Sequence, residues 1–212
     1  MKLFNYSMHL EPLSKTSVEI LAFLASKLRE RFTVRQIAAG IGQDYRITYT
    51  MTMRLARQKV VIAERRRPVT SCSLNFKGNA GLLACIEAIR ASRFLARHRD
   101  LRVVVENVRE KIPAPFFTMI VFGSHVKGTA STRSDIDMLF VIPEKSLERD
   151  ISSAVGSVER ISPIGIHDVT LTHDEFKALL REKKANVAHE ALDNRIVPYG
   201  AESLLRILEE AM

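Results

Sequence analysis

The chain has 212 residues, 46% of them hydrophobic and 26% charged, with a net charge of +8. That is long enough for one large or two small domains with a real core, and the balance is that of a soluble globular protein. Two cysteines without metal-ligand spacing (Cys72 and Cys85) and six scattered histidines argue against a disulfide framework and a zinc cluster. The start lacks the apolar region of a signal peptide, and no apolar run is long enough to cross a bilayer. A cytoplasmic protein without a membrane partner is the expectation. The charge is unevenly placed: residues 1–76 carry 13 Lys and Arg against 5 Asp and Glu, whereas residues 77–212 carry 19 of each. The first third therefore calls for a polyanionic partner of its own.

Apolar residues at Val18, Leu21, Leu24, Ala25 and Leu28 recur at helical spacing, predicting a helix over 17–29. Thr33 and Gln36 form a capping box for a second helix that stops at Gly42. Asp44 caps a third, running to about Gln58. A hairpin follows over 60–74, with Arg65, Arg66 and Arg67 at its tip. Three helices and a hairpin in this order resemble a winged helix-turn-helix DNA-binding domain over roughly Lys15 to Asn75. The resemblance implies that the third helix enters the major groove of duplex DNA. Its polar residues Arg46, Thr48, Thr50 and Arg54 are the candidates for base or phosphate contacts, and Arg65, Arg66 and Arg67 for a flanking backbone or minor groove. The competing reading is a solvated basic face on a domain that contacts protein or RNA.

Residues 76–81 are polar and glycine-bearing and mark a boundary. A helix over 82–97 follows, with Arg90, Arg93 and Arg97 on a side read as solvated. It serves either as a bridge between domains, over residues 77–99, or as a homodimer contact. Helices are also predicted over 101–111, 147–161, 173–182, 187–192 and 201–211, strands over 117–122, 138–142 and 163–171, and a turn at 196–200. The fold class is α+β: an N-terminal winged helix-turn-helix over 1–76 and, over 100–212, a mixed sheet flanked by helices.

The chemistry concentrates between Phe117 and Pro143. A strand ends at Gly123-Ser124, and Ser134-Asp135-Ile136-Asp137 opens the next apolar run. Alternation puts Asp135 and Asp137 on one face, about 7 Å apart along a strand, able to share divalent cations. A core has no use for two adjacent carboxylates, because buried like charges are costly without a cation between them. The glycine lets backbone N–H groups approach a phosphate, and the Ser124 hydroxyl adds a donor. Gly123-Ser124, then Gly128, then Asp135-x-Asp137 in an apolar strand resemble the signature of the polymerase-β-like nucleotidyltransferases, most of all the minimal type. That resemblance implies a Mg²⁺-dependent transfer of a nucleoside monophosphate, AMP above all, from a nucleoside triphosphate to an acceptor hydroxyl on a protein or RNA. It assigns metal ligation to Asp135 and Asp137 and adds a third carboxylate, expected at Asp168. Lys127 and Ser134 are expected beside the triphosphate. The alternative is a transcription regulator whose nucleotidyltransferase-like domain senses nucleotide or acts in autoregulation, as in antitoxins.

Overall fold

A computed structural model describes residues 13–66 and 69–211. Arg67 and Pro68, the expected tip of the hairpin, lie outside the described residues, and of Arg66 only the backbone, at the end of a strand, is described.

The described residues up to Leu74 build a helical unit against a small sheet. Helix α1 (Lys15–Ser26) starts where the Ser14 side chain accepts from the Ser17 amide, and it buries Ile20, Leu21, Leu24 and Ala25. A short strand, β1 (Phe32–Thr33), leads into α2 (Val34–Ile41) through the expected capping box, Thr33 and Gln36. Asp44 caps α3 (Tyr45–Arg57) by accepting from the amides of Arg46 and Ile47. Strands β2 (Val61–Arg66) and β3 (Val69–Leu74) pair antiparallel, and β1 adds to the free side of β3, giving the order β1-β3-β2.

The segment after the hairpin is tied down rather than loose. The side-chain amides of Asn75 and Asn79 both donate to the Lys59 carbonyl, at 2.6 and 3.0 Å. Helix α4 (Ala80–Arg97) then packs against α1 and against the C-terminal elements; Arg93 and Arg97 are exposed, on the solvated side that the sequence suggests, and Arg90 is not. Arg93 makes a two-pronged pair with Glu19 of α1, at 2.8 and 3.0 Å. Arg90 is largely buried, binding Glu87 and the carbonyls of Ala25 and Arg195.

The second half follows as α5 (Arg99–Lys111), β4 (Thr118–Phe122), α6 (Gly123–Lys127), β5 (Ile136–Ile142), α7 (Glu148–Glu159), β6 (Ile166–Thr172), α8 (His173–Arg181), α9 (Val187–Asp193), β7 (Ile196–Tyr199) and α10 (Ala201–Ala211). The sheet order is β6-β5-β4-β7, with β5 and β6 parallel across α7 and β4 antiparallel to both neighbours. Residues 196–200, expected as a turn, hold strand β7; it lies on the sheet edge, the place where a Pro such as Pro198 is tolerated.

Alternation sorts the sheet's side chains into two cores. Met119, Val121, Ile136, Met138 and Phe140 pack with the apolar faces of α5 and α7. Ile120, Phe122, Leu139 and Val141 face the other way, toward Phe176, Leu192 and the leucines of α10. This second core continues through Leu83 and Ile86 of α4 into Ile20, Leu21 and Leu24 of α1, so both halves share it. Among the described residues, no helix is long and apolar enough to cross a membrane.

Candidate functional site

The site forms where β4 and β5 meet at one end of the sheet. Phe122 is the antiparallel partner of Asp137, so the chain leaving β4 passes the carboxylate at once through Gly123. Gly123 has φ +73°, a left-handed conformation that suits glycine, and a Cβ there would fall on the Asp137 carboxylate. Gly165 is its counterpart beside the first acid. The Ile136 amide donates to the Gly165 carbonyl at 2.9 Å, and a Cβ on Gly165 would strike the Asp135 carboxylate. Each acid therefore lies over a residue without a side chain. Asp135 is exposed and Asp137 partly buried.

Gly123-Ser124 was expected as a plain turn and is the first turn of the short helix α6. No side chain caps that helix, and none of the described residues takes the half-buried Ser124 hydroxyl. Ser134 orders the approach to the acids. Its hydroxyl accepts from the Ser131 amide at 2.9 Å, and its carbonyl lies 3.0 Å from His125 Nε2. Lys127 is paired with Glu190 of α9 at 2.9 Å.

The third acid is not where the sequence suggested. In the parallel β5–β6 pair, Asp137 stands opposite His167, and Asp168 stands opposite Met138. Paired residues share a face, so Asp168 lies on the α7 side and does not converge with Asp135 and Asp137. Burial, with Glu159 of α7 adding to it, holds the Asp168 carboxyl above the ordinary aspartate range. The residue on the acids' face is His167, whose Nδ1 donates to Asp137 Oδ1 at 3.1 Å. Sequence alternation separates 167 from 168 but leaves the phase open. Both faces of this sheet are covered by apolar helices, so apolar neighbours do not mark the open side.

Beside Asp137 and His167 opens a cavity of about 700 Å³. Phe122 and Val169 line its apolar part, and Lys127, Asn186, Glu190 and Asn194 its polar part. The polar residues of α9 and its flanks carry no motif, which is why the sequence reading missed them. The donor set suits a hard divalent cation: two carboxylates on one face, each over a Cβ-less position, leave the remaining coordination positions for water and phosphate oxygens, as Mg²⁺ prefers. Among the described residues no cluster of three or more His, Cys, Asp or Glu is arranged to hold a metal alone.

The candidate DNA-contacting residues divide. Arg46, Thr50, Arg54 and Arg65 are exposed. Thr48 is fully buried with its hydroxyl on the Asp44 carbonyl, at 2.8 Å, and is removed from the expected contact set. One helical turn separates it from the buried Thr52, which places both on the core side of α3.

Residues 100–198 match the model of a family described as the nucleotidyltransferase domain. The match begins in α5 and ends in β7, so it takes in the sheet, both acids and the cavity. A domain of that description suggests nucleotidyl transfer in general and implies a nucleoside triphosphate as the class of substrate. No curated protein and no solved structure matches the chain.

Proposed function

We propose that the chain is a divalent-cation-dependent nucleotidyltransferase, moving a nucleoside monophosphate from a nucleoside triphosphate to an acceptor hydroxyl with release of pyrophosphate, and that its basic N-terminal unit binds duplex DNA. The observation that carries the first part is the pair Asp135 and Asp137 on one face, with Gly123 and Gly165 clearing the space for both carboxylates. In this reading the two carboxylates hold Mg²⁺. The Gly123-Ser124 backbone and the Ser124 hydroxyl bind phosphate oxygens, and the bond from His167 fixes the Asp137 carboxylate. A bound Mg²⁺ supplies charge neutralisation on the triphosphate. Lys127, already committed to Glu190, and Ser134, committed to its own turn, act by shaping the site.

The test is incubation with labelled nucleoside triphosphates, Mg²⁺ and cell lysate. Label should pass to an acceptor, and Asp135→Asn combined with Asp137→Asn should lower transfer by at least about 10²-fold, the scale of losing one preorganised electrostatic contact. Asp168→Asn, on the other face, should stay within about threefold of the wild type, far from the 10²–10⁴ expected of a general base. Transfer that survives the double substitution would defeat the assignment.

The turned-away Asp168 favours a second reading, in which the domain binds nucleotide and regulates without turnover. The cavity supports it as well. Asp193 and Asn194 line the cavity, while the next residue, Arg195, donates to the Ala25 carbonyl of α1. Nucleotide bound without label ever transferred, at any acceptor concentration, decides for this reading.

For the N-terminal unit, the order of helices and hairpin, with β1 completing the sheet, supports the winged-helix reading. Binding of the full chain to duplex DNA should fall steeply with salt as displaced counterions predict. Arg65→Ala should flatten the slope of log K against log salt by about 1 and weaken all sequences alike. An unchanged slope would remove Arg65 from the interface.

A further inference from the structure

Helix α3 exposes large apolar side chains where a merely solvated face would not. Tyr45, Ile47 and Tyr49 are 52%, 46% and 43% exposed, three such residues within five positions. The rings of Tyr45 and Tyr49, one turn apart, lie 6.1 Å between centroids and form a single apolar edge along the first turns of the helix. Beside them run Arg46, Thr50 and Arg57, all exposed. From Tyr45 to Arg57 the helix carries three arginines and no acid. The acid that precedes it in sequence, Asp44, is spent on capping the amides of Arg46 and Ile47. A protein partner for such an edge would need no cationic flank, whereas a polyanion does.

Apolar groups next to cationic ones match one feature of the major groove. Thymine presents there a C5-methyl group, an apolar contact available on no other base, a few ångströms from the phosphates that arginine neutralises. We infer that Tyr45 and Tyr49 read thymine methyl groups in the major groove of duplex DNA, while Arg46 and Arg57 set the register on the backbone. This rests on the DNA-binding reading of the N-terminal unit and deepens it by naming the base and the side chains that recognise it.

The test uses the full chain. Bound duplexes are selected from a random library at low salt, and each thymine of the enriched site is then replaced by uracil, which removes the methyl group and nothing else. At one or two positions the replacement should weaken wild-type binding about fourfold, the worth of one buried methyl group. With Tyr45→Ser and Tyr49→Ser combined, thymine and uracil duplexes should bind equally. Both residues are exposed, so the fold should survive, which circular dichroism checks. Tyr45→Phe with Tyr49→Phe should keep the discrimination, because the ring and not the hydroxyl is the reader. A duplex that is retained but binds identically with uracil throughout overturns this inference alone. Retention of no duplex at low salt overturns the DNA-binding reading and this inference with it. Loss of self-association in the serine variant, with DNA affinity untouched, overturns it in favour of a second copy as the partner.

Discussion

Gly165→Ala should weaken Mg²⁺-dependent nucleotide binding at least about tenfold although residue 165 carries no functional group. The new Cβ would occupy the position of the Asp135 carboxylate, which must then swing off the face it shares with Asp137. Nothing in the backbone opposes the substitution, since Gly165 is not among the glycines with positive φ. Its effect therefore isolates the displacement of one carboxylate. Gly123→Ala makes the same collision with Asp137 and adds a left-handed backbone, worth about 1–2 kcal/mol against any residue with a Cβ. Both variants should lose at least about tenfold in affinity for nucleoside triphosphate with Mg²⁺, as expected when the partners that orient a metal site are disturbed. Only Gly123→Ala should also lower the denaturation midpoint markedly. Calorimetry with and without Mg²⁺, beside a thermal melt, measures the two effects separately. Wild-type affinity in Gly165→Ala would show that the Asp135 carboxylate has no part in holding the nucleotide.

Why the sequence read some of this and not the rest follows from the range of each signal. The caps at Thr33 and Asp44 are local hydrogen bonds between residues two or three apart, and both appear where spacing put them. Asp135 and Asp137 are two residues apart, so alternation alone puts them on one face. Asp168 failed because its position depends on register between strands 30 residues apart, and a one-residue phase error exchanges it for His167. Thr48 failed for a similar reason: a threonine in a basic helix reads as polar, and only the packing of α3 turns it inward. Strand β7 was hidden by Pro198, a residue that marks turns in sequence yet is accepted on an edge strand. Arg90 of α4 reads as part of a solvated stripe with Arg93 and Arg97, because nothing in the sequence announces that the Ala25 and Arg195 carbonyls will meet it.

Those arginines lead to the largest stability effect expected. Arg195 is 0% exposed at its side chain and pairs with the equally buried Glu87. It donates as well to the carbonyls of Leu192 and Ala25, at 2.9 and 3.0 Å. Burial holds its pKa below the ordinary arginine value, against the pull of Glu87. The other Glu87 oxygen takes Arg90, so one carboxylate bridges two guanidinium groups at the junction of α1, α4 and β7. Glu87→Ala would leave one guanidinium fully buried and uncompensated, a loss of about 3–5 kcal/mol. For a chain of this size that lowers the midpoint of thermal unfolding by roughly 10 °C. Glu87→Leu with Arg195→Met removes the fully buried guanidinium together with its acid and should recover much of the loss, because the charge left without a partner is then that of Arg90, which reaches solvent in part. A midpoint for Glu87→Ala within about 2 °C of the wild type would mean that water reaches Arg195 and that the network is not what joins the halves. The same substitution reports on the link between the proposed nucleotide cavity and α1, since Arg195 follows directly on Asp193 and Asn194, which line it. If that link couples the sites, Glu87→Ala should also make DNA affinity independent of added nucleotide.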